Sequence, residues 1–326
     1  MSTLVSVVIP TYRRPDLLGR CLAAAAAQAF DAASYEIVVA DDGPDEATRS
    51  AVERFAAETA ARGGPRVRYV PVPDTQGPAA ARNRGWQAAV GDIIAFTDDD
   101  TIPEPHWLAR GVAVFTPDVA AAWGHVSMPI PEVPTDYEKD ARGLEGAEFV
   151  TANCFVRRDA LAAVGGFDER FGLAWREDSD LHFTLLARGH KVVGAPDAVV
   201  LHPVRPGRWG VSVSQQKKAQ YDALLYKKHP RLYRQKILAQ PPWRYYAIVA
   251  SLAGTAGGLA AGRPRLAAGA GAAWALLTAQ FALERLQGTS RAPAHVAEML
   301  ATSAAIPPLS VFWRLAGAAR FRVLFA

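Results

Sequence analysis

Three adjacent carboxylates, Asp98-Asp99-Asp100, follow directly on the apolar run Ile93-Ile94-Ala95-Phe96. Like charges side by side repel one another, and a strand end carries three of them comfortably when a cation offsets the charge. In an extended segment residues two apart face the same way, so Asp98 and Asp100 can address one site. A hard divalent ion held between them and a diphosphate would supply the balance; a solvated Asp-rich turn is the plainer alternative. A second acidic pair, Asp41-Asp42, stands before Gly43 at the end of the run Glu36-Ile37-Val38-Val39-Ala40. It can cap the following helix, or accept hydrogen bonds from a nucleobase or ribose.

Three further positions bear on the same chemistry. Gly77-Pro78-Ala79-Ala80-Ala81-Arg82-Asn83 opens a helix with small residues that admit a ligand or a second backbone, and Arg82 can meet an anion there or lie on the surface. Glu177-Asp178 begins another helical pattern, where backbone N–H groups favour acids. Asp178 can serve simply as a cap, or as the general base that takes a proton from an attacking hydroxyl, with Asp180 the more structural partner. His202, ahead of Pro203, is a packed or surface imidazole, or the nitrogen that completes an oxygen-rich ion site.

The elements that must position these residues are legible as alternating runs. Val5 to Ile9, Glu36 to Ala40, Val67 to Val70 and Asp92 to Thr97 read as buried strands, separated by helical patterns over Asp16–Phe30, Asp45–Ala61 and Pro78–Val90. Strands alternating with helices of this length predict an α/β fold, a mostly parallel sheet with helices on both faces that binds ligands at the carboxyl ends of its strands. Those ends carry Thr11-Tyr12, Asp41-Asp42 and Asp98-Asp99-Asp100, so the polar chemistry gathers on one rim. Beyond Trp107 the pattern predicts a helix to Phe115, strands near Ala121, over Phe149–Arg157 and over Lys191–Val200, and helices over Arg158–Val164 and Glu177–Arg188. Met128 to Gly143, rich in Pro and charge, reads as a mobile loop that would close over a donor.

Taken in order, six blocks resemble glycosyltransferase family 2, the inverting family with the GT-A fold: Val7-Val8-Ile9-Pro10-Thr11-Tyr12-Arg13-Arg14, Val38-Val39-Ala40-Asp41-Asp42-Gly43, Gly77 to Gly85, Phe96 to Pro103, Gly165-Gly166-Phe167-Asp168-Glu169 and Glu177-Asp178-Ser179-Asp180-Leu181. The resemblance covers residues 4–205. It implies that Pro10, Thr11, Tyr12, Asp41 and Asp42 line the nucleoside pocket, with Arg82, Asp98 and Asp99 also on the nucleotide. It implies a metal, Mg2+ or Mn2+, on Asp98, Asp100 and His202, an acceptor side at Gly166, Phe167 and Glu177, and Asp178 as catalytic base. The implied donor is a nucleotide diphosphate sugar, UDP- or GDP-linked. The Gln-x-x-Arg-Trp block of processive members is missing, since Arg208-Trp209 lacks the Gln, so a single, non-processive transfer is expected.

Composition adds limits. The chain of 326 residues is 50% hydrophobic with a formal charge of +4. Its two cysteines, Cys21 and Cys154, fit neither a zinc site nor a disulfide framework and read as packed thiols. Leu4 to Ile9 is too short for an export signal. Between Arg205 and Lys236, nine Lys and Arg residues face one acid, Asp222. Tyr245–Ala261 and Leu266–Leu283 are uncharged apolar runs of 17 and 18 residues, read as a membrane hairpin, and Leu309 to Phe325 mixes aromatics with arginines as an interfacial helix does. The expected organisation is a catalytic domain over 1–205, a basic juxtamembrane segment over 206–240 and an apolar helical tail over 241–326. The tail would sit at the cytoplasmic face of the inner (cell) membrane, against anionic headgroups, and act on a glycan or lipid-linked acceptor. No nucleic-acid-binding motif accompanies the basic stretch, so nucleic acid is not an expected partner. Two rivals remain at this stage. A sugar nucleotidyltransferase would need a Gly-rich phosphate loop, and Pro10 to Arg14 has no glycine; the other is a noncatalytic membrane-bound scaffold.

Overall fold

The computed structural model describes residues 4–74 and 77–325. The chain divides into two compact units: Met1–Pro129 with Gly143–Val204, and Ile130–Arg142 with Arg205–Ala326.

In the first unit, β1 (Val5–Thr11), β2 (Tyr35–Asp41), β3 (Arg66–Pro71) and β4 (Ile93–Phe96) run parallel in the order β3-β2-β1-β4. Strands β1, β2 and β4 are buried almost throughout, as β-branched runs covered on two faces must be. The crossovers are α1 (Pro15–Ala26), α2 (Glu46–Ala61) and α3 (Pro78–Ala88). Asp45 caps α2 by accepting from Thr48 N, and Pro at the first turn starts both α1 and α3.

The second half of this unit adds β5 (Ile102–Pro103), α4 (Trp107–Ala113), β6 (Val119–Ser127), β7 (Cys154–Arg157), α6 (Arg158–Val164), α7 (Glu177–Ala187) and β8 (Lys191–Leu201); the intervening α5 (Asp136–Ala141) belongs to the second unit. The result is an eight-stranded sheet, β3-β2-β1-β4-β7-β6-β8-β5. Strand β7 is antiparallel to both neighbours and β5 is antiparallel to β8, while β6 and β8 are parallel. The strand expected over Phe149–Arg157 is shorter than its apolar run. Asn153 closes its start: its amide donates to the carbonyls of His125 and Ala198 and its oxygen accepts from Trp107 Nε1. A buried amide satisfied on all sides holds Thr151–Asn153 as a 3-10 turn instead. Phe96, Phe149, Val156, Phe167, Leu181 and Leu185 form the main core. Both cysteines are buried free thiols, and burial pushes each far up in pKa, so neither is nucleophilic.

The second unit is helical: α8 (Val211–Gln215), α9 (Gln220–Lys228), α10 (Pro230–Lys236), α11 (Trp243–Ala260), α12 (Pro264–Arg285) and α13 (Pro293–Phe321). Helices α11 and α12 pack so closely that a Cβ on Gly258 would lie 2.8 Å from Ala267 N, and the rings of Tyr245 and Phe281 meet edge-on at 5.4 Å. Helices α12 and α13, of 22 and 29 residues, are long and apolar enough to cross a membrane by length and composition. The first alone rises about 33 Å against a hydrocarbon core of about 30 Å. Helix α11, expected as one arm of a membrane hairpin, is not among them, and the expected interfacial segment is the second half of α13, which carries Pro307 and Pro308 inside it.

The segment expected to be a mobile loop within the first domain is structured, and it belongs with the tail. Thr135 and Glu138 form a reciprocal capping box at the start of α5. Asp136 accepts from Arg285 Nε at 3.1 Å and Nη2 at 2.7 Å, and Arg285 also donates to Thr302, Ser303 and Ser212. Ser290 N donates to Pro134 O and Lys139 Nζ to Gln287 O. The first compact unit is therefore not the continuous stretch 1–205.

Candidate active site

The carboxyl ends of β1, β2 and β4 meet because their registers are aligned: Thr11 pairs with Asp41, and Thr97 N donates to Val8 O at the point where β4 ends. Asp98, Asp99 and Asp100 then turn over Cys21 and Thr101, with Thr101 Oγ1 donating to Asp98 O at 2.8 Å. The middle member is directed inward. Asp99 is 1% exposed, accepts from Thr11 Oγ1 at 2.7 Å and lies 3.0 Å from Arg14 Nη2, and burial raises its pKa to about 6. It joins the end of β1 to the acidic turn, while its neighbours face the rim.

Arg82 occupies the centre. Its side chain is almost wholly buried, with Nη2 donating to Asp98 Oδ1 at 2.7 Å and Nη1 to Glu177 Oε1 at 3.0 Å. Burial opposes its charge, but the two carboxylates outweigh that and hold the guanidinium firmly protonated. Reciprocally, burial works against the Asp98 carboxylate, yet Arg82 and then His202 bring its pKa below the ordinary value. Glu177 differs: burial dominates over the pull of Arg82 and pushes it up to about 7, and its Oε2 is buried without a hydrogen bond. Asp178 beside it is half-buried, accepts from Ser179 N at 2.6 Å and Ser179 Oγ at 3.2 Å, and is likewise raised in pKa by burial.

Asp98, Asp100 and His202 each offer a ligand atom, all within 4.8 Å of one another. His202 Nε2 lies 3.6 Å from Asp100 Oδ1, beyond a hydrogen bond, and Nδ1 is buried with no hydrogen-bond partner. Two carboxylates and an imidazole converging without bonding each other suit an oxygen-preferring divalent ion. His202 is held by its backbone: its N–H donates to Ser127 O at 2.8 Å, tying the ends of β8 and β6 together.

At the ends of β1 and β2, Tyr12 stands 45% exposed over Gly43, whose Cα face is so close that a Cβ would lie 2.5 Å from the ring. Arg13, with φ 52°, stacks on the same tyrosine. Asp41 is fully buried, accepting from Tyr69 Oη at 2.8 Å and Gly43 N at 3.3 Å, so it shapes the turn. Asp42 is the more accessible of the pair, and both its oxygens lie 2.8 Å from Gly77 N. Pro10 is the penultimate residue of β1, paired with Ala40.

The acceptor-side candidates split. Phe167 is buried under the site, edge-on to Phe96 at 5.2 Å, and Gly166 takes φ 72° with no room for a Cβ beside Asn83. Asn83, to which the sequence assigned no role, holds this turn: it donates to Phe167 O and Glu169 Oε1 and accepts from Phe167 N and Trp86 Nε1. Arg14 was also missed, although it reaches both Asp99 and Asp100. Its adjacency to the Thr11-Tyr12 strand end was the available signal.

With the geometry established, comparison with known proteins is direct. The family model described as Glycosyl transferase family 2 matches residues 6–165, and that described as Glycosyl transferase family group 2 matches residues 93–314. Glycosyltransferase AglE of Haloferax volcanii is 29% identical over 214 residues, 62% of this chain and 67% of the relative. Succinoglycan biosynthesis protein ExoM of Rhizobium meliloti is 27% identical over 228 residues, 63% of this chain and 68% of the relative. Among solved structures, mannosyltransferase PcManGT from Pyrobaculum calidifontis, in complex with GDP-Man and Mn2+, aligns with a TM-score of 0.58 at 23% identity over 99% of this chain and 88% of that one, which shows a shared GT-A fold. With a family model spanning more than half of its length, the chain belongs to the family 2 glycosyltransferases.

Proposed function

We propose that this glycosyltransferase moves a sugar from a nucleotide diphosphate donor, UDP- or GDP-linked, to a hydroxyl of a glycan or lipid-linked acceptor in one inverting, non-processive step. The observation that carries the reading is the convergence of Asp98, Asp100 and His202 on one rim, joined through Arg82 to the start of the helix that bears Asp178. Tyr12 and Asp42 would receive the nucleoside, with Asp41, Asp99 and Pro10 shaping the pocket behind them. A divalent ion, Mg2+ or Mn2+, bound by Asp98, Asp100 and His202 would neutralise charge on the departing diphosphate. Asp178 takes the proton of the attacking hydroxyl; its pKa, raised by burial, makes it a stronger base than an exposed aspartate. Ser179 fixes one oxygen of that carboxylate and so orients the other.

The helical unit supports a membrane-bound setting at the cytoplasmic face of the cell membrane. Leu259, Leu276, Leu283, Phe312 and Leu315 are exposed on its helices, and the basic stretch 205–236 precedes them.

A thermal-shift panel on detergent-purified protein tests the reading: UDP, GDP, CDP and TDP, each with Mn2+ or EDTA, on the native chain and on Asp100→Ala. Metal-dependent stabilisation by one nucleotide, lost in the variant, is the expected result and names the base. Folded protein that no nucleotide stabilises would favour a noncatalytic scaffold.

A further inference from the structure

We infer that Asn83 is a positioning residue for the transfer: by clamping Phe167 it sets the surface against which Arg82 holds Asp98 and Glu177. The inference rests on the transferase reading above and adds a residue to which that reading gives no part.

Asn83 follows Arg82 on α3, and successive side chains of a helix diverge by about 100°. Arg82 turns to its two carboxylates, while Asn83 turns to the segment 165–169. Its amide is 5% exposed and uses its full bonding capacity. Nδ2 donates to Phe167 O at 2.9 Å and to Glu169 Oε1 at 2.8 Å, and Oδ1 accepts from Phe167 N at 2.9 Å and from Trp86 Nε1 at 3.0 Å. With acceptors facing one end of the amide and donors the other, its orientation is fixed.

Both main-chain groups of Phe167 thus end on a single side chain. The pairing that a neighbouring strand would supply is here made at a left-handed turn, where Gly165 and Gly166 take φ 83° and 72°. The turn is seated directly on the amide, since a Cβ on Gly166 would lie 2.5 Å from Asn83 Oδ1.

Phe167 carries that restraint to the site. Its ring meets edge-on, at 5.2 Å, the ring of Phe96, which ends β4 just ahead of the acidic turn. The Arg82 guanidinium stands over the same ring, its Cζ 5.9 Å from the centroid, within the roughly 6 Å at which a ring face attracts a cation. Arg82 Nε is buried without a hydrogen bond among the described residues, so the fork is fixed by its two terminal nitrogens and by the ring beneath it. Asp98 and Glu177 stand on separate elements, and Asp178 follows directly on Glu177. A displaced ring lets the fork tip and moves the base relative to the acidic turn; a misplacement of about 1 Å can cost on the order of 100-fold in rate. A buried amide that only satisfied a turn would lower stability and leave the turnover of folded molecules intact.

The test uses the full chain in detergent with Mn2+. It measures nucleoside diphosphate released from UDP-glucose, UDP-N-acetylglucosamine and GDP-mannose, together with Tm and the Kd for UDP and GDP. Asn83→Asp keeps the shape of the side chain but sets a carboxylate against Phe167 O and Glu169. Its Tm should fall, while the folded protein binds the nucleoside diphosphate within about threefold of the native Kd and turns over donor on the order of 10- to 100-fold more slowly. Phe167→Leu, which keeps an apolar filling and removes the ring, should lose turnover to a similar degree, and the double variant should be little worse than either single one. Glu169→Ala, which severs only the outer bond of the amide, should turn over at the native rate. If Asn83→Asp does not fold, Phe167→Leu against Glu169→Ala decides. Native turnover per folded molecule in Asn83→Asp or Phe167→Leu, losses that multiply in the double variant, an equal loss from Glu169→Ala, or nucleotide affinity that falls in step with turnover each overturn the positioning role. No release from any donor by the native chain overturns the transferase reading itself, and the positioning role with it.

Discussion

Arg82 and Glu177 face each other at 3.0 Å with both side chains about 4% exposed, across 95 positions of sequence. The same guanidinium also holds Asp98, so it links the acidic turn after β4 to the start of α7. Arg82→Ala leaves buried carboxylates without their counter-charge and is expected to destabilise the catalytic unit by about 3–5 kcal/mol. Chemical denaturation of the variant checks this, and a loss below about 1 kcal/mol, the range of an exposed pair, would refute it.

Transfer should follow the ionisation of Asp178. Burial raises its pKa, so activity falls as pH drops through a value above the ordinary 3.8. Asp178→Asn should reduce turnover by about 10²–10⁴-fold with nucleotide binding retained.

The burial of Glu177 has an opposite signature in stability. Its folded pKa is raised to about 7 from 4.5, so its contribution is full below the unfolded value and is lost as pH rises through the folded one. Denaturation midpoints of the native chain should therefore decline across that window relative to those of Glu177→Gln. Parallel curves for the two proteins would contradict the assignment.

Removing a ligand at the ion site should act on metal dependence before anything else. His202→Ala is expected to raise the Mn2+ concentration needed for half-maximal activity by 10-fold or more, on the order of what one imidazole contributes. Isothermal titration of Mn2+ in the presence of nucleoside diphosphate measures it, and an unchanged affinity would exclude His202 from the site.

Asp136 and Arg285 give a prediction away from the chemistry. Both are largely buried, and Arg285 makes further bonds to Ser212, Thr302 and Ser303. Asp136→Ala should make residues 130–142 sensitive to protease whether or not nucleotide and metal are present. Cleavage that instead responds to donor binding in the native chain would restore the closing loop that the Pro-rich composition suggests.

The first four strands and their crossovers were legible because each strand is a short apolar run and the crossovers have clear helix starts, such as Pro15, Asp45 and Pro78. The rim was legible for the same reason, since parallel strands put their ends together. What spacing could not show was direction. Asp41 and Asp99 sit in acidic runs beside Asp42, Asp98 and Asp100, yet turn inward to Tyr69 and Thr11, because partners distant in sequence were available to satisfy them. Asn153 shortened a strand by the same means. Helix α5 had a visible signature, Thr135 with Glu138 three residues on, but it stood in a stretch whose prolines argued for a loop.

The attachment of residues 130–142 to Arg285 also sets an order of assembly during synthesis. Asp136 leaves the ribosome 149 residues before the arginine that holds it. At about 5–20 residues per second, that is an interval of roughly 7–30 s in which the sheet can form but this segment has no partner. Nascent chains halted before Arg285 are expected to be cut within residues 130–142, and chains released with Ser303 exposed to resist, as pulsed proteolysis of stalled ribosomes would read. A fragment ending at Val204 would remain in the earlier condition permanently, with residues 130–142 cut off from the helices that hold them.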